Sequence, residues 1–233
     1  MTVTPYGTGG SKKQEVKKMF DNIAPTYDFL NHALSLNIDK IWRRKAINSL
    51  KIIHPRQILD VATGTGDLAI ASLRLHPDAI IGVDISDGMI RVGQQKINAK
   101  GLQDVIHLQT ADSEDLPFED EKFDAITVAF GVRNFEHPAL GLAEMHRVLR
   151  KDGRLVILEF TMPIKFPFKQ LYLFYFSKIL PLIGKLISKD FSAYQYLPDS
   201  VKSFPQRETF IEMLHEAGFG KANYKSLSFG IAG

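Results

Sequence analysis

An α/β three-layer sandwich around a mostly parallel sheet is the fold class this sequence predicts, and three observations predict it. Between residues 56 and 160, short β-rich apolar runs alternate with longer helical stretches, the pattern of right-handed βαβ units. No internal repeat or low-complexity segment breaks that alternation. The chain has 233 residues, room for a single domain that buries about 70% of its unfolded surface.

In chain order, residues 1–10 read as a flexible tail and 11–233 as one domain. Residues 11–50 read as a helical lid of two or three helices, broken around Ala24-Pro25 and Asn37, with Trp42 inside the last. The core, 51–161, begins with the strand QILDVA and a helix over 67–76. AIIGVD precedes a helix over 86–100, VIHLQTA precedes a loop, and FDAITVAF precedes a helix over 137–151. GRLVILEF closes the series. Residues 162–205 form an apolar helical insert, and 206–233 a C-terminal helix and strand. Within the insert, FPFKQLYLFYFSKILPLIGKLI is interrupted by Lys169, Lys178, Pro181 and Lys185. A membrane span wants about 20 largely uninterrupted apolar residues, so this is not one.

Composition narrows the function classes. There is no cysteine, which excludes disulfides, thiolate metal sites and thiol nucleophiles, and which fits a reducing compartment. The first twenty residues lack the apolar stretch of a secretory signal, so the cytoplasm is the expected location. A net charge of +3 is too small to argue for nucleic acid. Lys12, Lys13, Lys17 and Lys18 form one basic group and Arg43, Arg44 and Lys45 another. Solvated helix faces are the plain explanation, and contact with an anionic lipid surface, at the inner face of the membrane, is the alternative.

An open α/β sheet binds ligands outside the carboxyl ends of its strands. Here those ends are Asp60-Val61-Ala62, Asp84, Asp112 and the pentapeptide FGVRN at 130–134. Buried arginine and asparagine are costly without partners, so Arg133 and Asn134 at a strand end point to a ligand rather than to a solvated turn. In LDVATGTGDLAI, Gly64 and Gly66 lie between strand and helix, where a missing Cβ lets backbone approach a ligand. Asp84, about 20 residues on, can accept hydrogen bonds from ribose hydroxyls. The same residues match the dinucleotide pattern G-x-G-x-x-A, so a NAD(P)-dependent oxidoreductase is the rival reading. Three carboxylates near the turn, Asp60, Asp67 and Asp84, are poor company for a pyrophosphate and suit a cationic ligand carrying an amine and a sulfonium. Asp112 is placed to receive an adenine amino group, with a simple turn acid as the alternative.

In order, DVATGTGD, GVDIS, ADSEDLPFEDEKFDAI, FGVRN and EMHRVLRKDGRLVILEF resemble the class I methyltransferases that use S-adenosyl-L-methionine. More narrowly they resemble the family that C-methylates demethylmenaquinol and the related polyprenyl benzoquinol precursor of ubiquinone. The likeness covers roughly residues 15 to 231 and includes FDNIAPTYDFLNHALSLNIDKIWR. It implies a Rossmann-like, seven-stranded class I fold with an N-terminal helical lid. It also implies that Thr65, Asp84, and Asp112 with Ser113 contact the cofactor; with Asp60, Gly64, Gly66 and Ile85 these make the expected cofactor site. Ala129 stands where the family often has a serine, and the chain stops at Gly233, before the usual last strand.

Methylation of a ring carbon needs an electron-rich ring, so the implied substrate is the lipophilic quinol and not the quinone. The site then needs donors for a developing phenolate and a route for its proton. Arg133 and Asn134 fit the donor role, and the resemblance adds Tyr27, with Asp28 and Asn31 as further members. His32 could act as a base, but the family does not place a histidine there and a helix surface is the plainer reading. His107, His137 and His146 lack metal-ligand spacing, and no metal is expected. The aromatic run from Phe166 to Phe176 suggests a channel for the prenyl tail that doubles as a membrane-facing surface. A base methyltransferase would carry an Asn-Pro-Pro-Tyr turn in place of FGVRN, and a quinone carrier would not need Thr65, Asp84 and Asp112. A homodimer stays open.

Overall fold

The computed structural model describes residues 3–179 and 192–233. Its centre is a five-stranded parallel sheet of β1 (Gln57–Val61), β2 (Ala79–Asp84), β3 (Ile106–Thr110), β4 (Phe123–Ala129) and β5 (Leu149–Leu158), in the order β3-β2-β1-β4-β5. Helices α1 (Lys12–Ile23), α2 (Tyr27–Leu34) and α3 (Ile38–Asn48) precede it. Within it run α4 (Asp67–Ser72), α5 (Asp87–Ala99) and α6 (Pro138–Val148); α7 (Phe168–Phe174), α8 (Ser192–Ser203) and α9 (Glu208–Glu216) follow.

Strand alternation assigns the two faces. Ile58, Ile80, Ile106 and Ala125 pack with Ile47 of α3, Leu50 just beyond it, Leu68 of α4 and Ile97 of α5. Leu59, Val61, Ile126 and Val128 pack on the opposite face with Leu142, Met145 and Val148 of α6, and with Phe210 and Leu214 of α9. Covering both faces makes the three layers. Because β1 lies between β2 and β4, consecutive connections leave it in opposite directions, and a crevice opens at the carboxyl ends of β1 and β4.

The lid breaks where the sequence said. Ala24–Thr26 forms a 3-10 turn at the proline, and Asn37 takes a left-handed conformation that short polar side chains tolerate. Trp42 is buried against Phe130 and Phe160 and donates Nε1–H to Ser228 Oγ at 2.8 Å, tying lid to C-terminus.

Three expectations change. Residues 5–8, read as loose tail, fold back so that the N–H groups of Tyr6, Gly7 and Thr8 donate to the buried Glu15 carboxylate at 2.7–2.9 Å. Five strands, not seven, are present among the described residues. The C-terminal segment turns at Ser228–Gly230 so that Leu227 bridges Ala232, which leaves only isolated pairing beside the end of β5, such as Glu159 N–H to Gly233 O at 2.9 Å. The apolar insert divides by face. Tyr172 and Phe176 are buried against Val16, Met19 and Ile23 of α1, whereas Phe166, Leu171 and Phe174 are exposed. Residues 180–191 of that insert lie outside the described residues. No helix among the described residues is long and apolar enough to cross a membrane.

Candidate active site

A cavity of about 670 Å³ occupies the crevice at the carboxyl ends of β1, β2, β3 and β4. Of the residues predicted from sequence it gathers Gly64, Asp84, Ile85, Asp112, Ser113, Asn134 and Tyr27 on one surface. A smaller cavity, about 320 Å³, lies next to it and collects Asp60, Thr65 and Asp67 together with Arg43. Tyr27 and Gly64 line both.

Backbone conformation makes the crevice. Gly64 and Gly66 have φ of 57° and 83°, which a residue with a Cβ adopts only at a cost. Across the gap, a Cβ on Gly131 would come within 2.5 Å of the Ala62 Cβ. Ala62 and Phe130, the residues directly after β1 and β4, both sit at positive φ. Non-glycine residues held there are strained, and two such residues facing one crevice mark it as a built site.

Asp84 is the best-placed carboxylate. It is buried at the end of β2, where its Oδ2 accepts from Gly64 N–H at 2.8 Å and its Oδ1 from Ser86 N–H at 2.9 Å. Burial pushes its carboxyl up to about 6 against those hydrogen bonds. Each oxygen keeps a lone pair for a further donor. Asp112 accepts from Lys13 Nζ at 2.6 Å and from Glu114 N–H at 2.9 Å.

Asp60 and Asp67 do not form the acidic rim expected of them. Asp60 shares its face of β1 with Ile58, and there its two oxygens accept from Thr63 Oγ1 at 2.6 Å and Thr127 Oγ1 at 2.7 Å. Burial raises it to about 6 as well, but it joins β1 to β4 inside the fold. Asp67 belongs to an ion-pair network with Lys96 at 2.8 Å and His32 Nε2 at 3.3 Å. Thr65 donates to Asp28 in the same network, and Asp28 pairs with Lys96 at 2.5 Å. Thus Thr65, Gly66 and Asp28 lie off the main cavity, and His32 is held by Asp39 and Asp67 through both ring nitrogens. His32, Asp39 and Asp67 come close enough to resemble a metal cluster, yet Arg43 and Lys96 already neutralise them. The acids that do line the cavity are Asp84, Asp112, Glu114 and Glu136, against one cation, Lys13. The cavity is therefore acidic through Asp84 and Asp112, as expected, with Glu114 and Glu136 in place of Asp60 and Asp67.

Three of the four N-terminal lysines are paired within the fold. Lys12 Nζ donates to the backbone carbonyls of Arg133 and Phe135, both at 2.8 Å; Lys13 bridges to Asp112 and Glu114; Lys17 pairs with Asp21 and Asp87. Helix α1 is fastened by them across the cavity mouth. Only Lys18 keeps to the surface, its Nζ 5.5 Å from the Tyr6 ring centroid.

Arg133 and Asn134 occupy a 3-10 turn after β4, and both are buried. Asn134 reaches the main cavity, its Nδ2 donating to Phe130 O at 3.2 Å. Arg133 does not line that cavity. Its Nη1 donates to Phe130 O at 2.5 Å and to Glu159 Oε2 at 2.9 Å, and the guanidinium lies 5.5 Å from the Phe160 ring centroid. Tyr27 sits between the two regions: its ring is 3.7 Å from where a Gly64 Cβ would be, and its hydroxyl, which burial pushes up, feels Arg133, Arg43 and Asp84. Sequence reasoning missed Glu159, Lys12, Lys13, Glu114 and Glu136. Glu159 was findable, being an acid at the end of the fifth strand, the same signal that marked Asp84 at the second.

A sequence model described as the ubiE/COQ5 methyltransferase family matches residues 8–233. A demethylmenaquinone methyltransferase of Bacteroides fragilis is 53% identical over 230 residues, covering 98% of this chain and 94% of that one. A ubiquinone/menaquinone biosynthesis C-methyltransferase UbiE of Geotalea daltonii is 48% identical over 223 residues, covering 95% and 94%. Among solved structures, the cyclase SpnF superposes with a TM-score of 0.69 at 18% identity, over 94% of this chain and 76% of that one, a likeness of fold alone.

Proposed function

The chain belongs to the ubiE/COQ5 methyltransferase family, and from that premise we propose that it C-methylates a reduced polyprenyl quinol, demethylmenaquinol in the first place, in respiratory quinone biosynthesis. The observation that carries the proposal is a single crevice with two kinds of lining. Its floor and rim are acidic, with four carboxylates against one lysine, and its far wall is the FGVRN turn. An acidic cavity suits a cationic sulfonium and disfavours the pyrophosphate of a dinucleotide, which removes the ground for the oxidoreductase reading.

The residues present fit S-adenosyl-L-methionine. Gly131 packs directly on Ala62 with no room for a side chain, which holds the loops after β1 and β4 together at one edge of the crevice. Asp84 would accept from its ribose hydroxyls, beside Ile85, and Asp112 with Ser113 would meet the adenine edge once Lys13 shares its carboxylate. When bound, the donor supplies a methyl group on a cationic sulfur, which departs as a neutral thioether as the ring carbon gains the methyl and loses its hydrogen.

What the protein contributes is binding, orientation and a place for charge. Asn134 touches the cavity with its amide while Arg133, directly before it, is held by Glu159, so the turn presents a carboxamide to the donor side and a guanidinium behind it. Tyr27, kept protonated by burial, spans the two as a hydrogen-bond donor and not as a base. Donors fixed in a dry site stabilise a developing phenolate more than water does, since they need not reorganise. The exposed row Phe166, Leu171 and Phe174 suits the prenyl tail or the membrane surface that delivers it. Incubation with methyl-labelled donor and demethylnaphthoquinol tests the reading by product mass spectrometry. Label on a ring carbon with the reduced substrate and none with the oxidised one supports it; label on neither, with the donor bound, refutes it.

A further inference from the structure

Among the described residues, four buried side-chain atoms have no hydrogen-bond partner: Arg133 Nε, Asn134 Oδ1, and the hydroxyls of Tyr172 and Tyr196. Their residues are 8%, 7%, 7% and 5% exposed. Folded proteins rarely leave such atoms unpaired, because each forfeits its hydration without compensation. Both tyrosine hydroxyls lie within the electrostatic reach of Arg133, next to Asn134 in the chain. Helix α8, which carries Tyr196, packs on the Val132–Asn134 turn. Tyr172 stacks on Phe176 at 4.2 Å, Phe176 meets Phe160 at 6.4 Å, and Phe160 underlies the Arg133 guanidinium. Tyr172, Tyr196 and Tyr27 share one apolar cluster. The Asn134 amide is oriented by its Nδ2 bond to Phe130 O, which leaves Oδ1 as the free acceptor.

We propose that Tyr172 and Tyr196, with Arg133 Nε–H and Asn134 Oδ1, grip the two oxygens of the quinol ring and select its reduced, singly ionised form. This rests on the quinol methylation proposed above and adds two substrate-contacting residues to it. The chemistry matches in number. When one ring hydroxyl loses its proton to solvent, the electron pair stays on oxygen, which then accepts from as many as three donors; the other oxygen remains O–H and donates to one acceptor. Three donors and one acceptor are what the cluster offers. A quinone has two carbonyl oxygens and no donor, so it would leave Asn134 Oδ1 buried and unpaired, the kind of mismatch by which a polar site rejects a near-isostere. Both tyrosines stay protonated through the working range, since burial pushes Tyr196 up to about 12 and Tyr172 further in the same direction.

The test uses the full chain and Tyr172→Phe and Tyr196→Phe, which keep the packed rings, with short-tail demethylnaphthoquinol held reduced. Four quantities are read: kcat/KM, the pH profile of kcat, the Kd for S-adenosylmethionine, and Tm. Each variant is expected to lose roughly tenfold or more in kcat/KM. The limb that rises with pH should move upward, because the bound phenolate loses a donor. Donor affinity should stay within threefold, and Tm should not fall, because the deleted hydroxyl has no partner in the protein. Unchanged kcat/KM with an unmoved limb overturns the inference, and so does a lowered Tm with parallel loss of donor affinity. If the unsubstituted protein binds donor but methylates no quinol, the functional reading fails and this inference with it; if it methylates and the Phe variants match it, only the inference fails.

Discussion

Removing the Glu159 carboxylate should cost the fold several kilocalories per mole, and restoring charge balance by removing Arg133 as well should return most of that while leaving the protein inactive. Glu159 Oε2 accepts from Arg133 Nη1 at 2.9 Å, and the two side chains are 6% and 8% exposed. Charges about 4 Å apart attract by about 4 kcal/mol at an effective dielectric near 20. Breaking one partner of a buried pair costs about 3–5 kcal/mol, most of it the penalty of the orphaned charge. Glu159 also accepts from the N–H groups of Phe160 at 3.1 Å and of Arg133 at 3.4 Å, so nothing else nearby replaces it. For a chain of this size each kilocalorie is worth about 2–4 °C, so Glu159→Ala should lower Tm by roughly 6–20 °C. The paired change Arg133→Met with Glu159→Leu leaves no buried charge, and most of the loss should be recovered. Chemical denaturation and calorimetry of both variants and each single change give the coupling energy directly. A Glu159→Ala protein within 1 kcal/mol of the parent would refute a buried pair here. Methylation by the doubly substituted protein would refute the role given to Arg133.

Asp84→Asn should weaken S-adenosylmethionine binding roughly ten- to hundredfold, the worth of a charged hydrogen bond, and should also lower Tm, because an amide cannot accept from both Gly64 N–H and Ser86 N–H. Because the Asp84 carboxyl lies near pH 6 and must be ionised to accept the ribose hydroxyls, affinity in the parent should be level above about pH 6 and fall below it, with proton release on binding that calorimetry in two buffers detects. Level affinity down to pH 4.5 would contradict that assignment. Asp60→Asn is the control: the side chain bonds Thr63 and Thr127 and not the main cavity, so donor affinity should stay within about threefold while unfolding reports the loss. Gly131→Ala places a methyl group 2.5 Å from Ala62 Cβ, so about 1–3 kcal/mol of overpacking should appear together with weaker donor binding. A stable Gly131→Ala protein with normal affinity would mean the crevice is not as narrow as drawn.

Local sequence rules recovered the parts of this protein that obey period and position. The five strands and the crevice at their carboxyl ends follow from alternating βαβ runs; Asp84 follows as the last residue of β2, and Asp112 and Asn134 follow as polar residues in the loops just after β3 and β4. Asp60 went astray because it lies one residue inside the end of β1, where alternation turns it toward Ile58 and Thr127. The lysines of α1 were illegible as fasteners: their partners at 112, 114, 133 and 135 are about a hundred residues away, and charge spacing along one helix carries no information about them. Tyr172 and Tyr196 were hidden in the same way, since an aromatic in an apolar run looks like core until its hydroxyl is found with no partner.

A crystal structure of the protein with S-adenosylhomocysteine and a reduced naphthoquinol analogue tests the central claim most directly, because it shows both ligands in one crevice. The account predicts the ribose hydroxyls on the Asp84 carboxylate, and a ring oxygen within hydrogen-bond distance of Arg133 or Asn134 on the opposite wall. A ribose without contact to Asp84, or a ring bound away from the 130–134 turn, would contradict it.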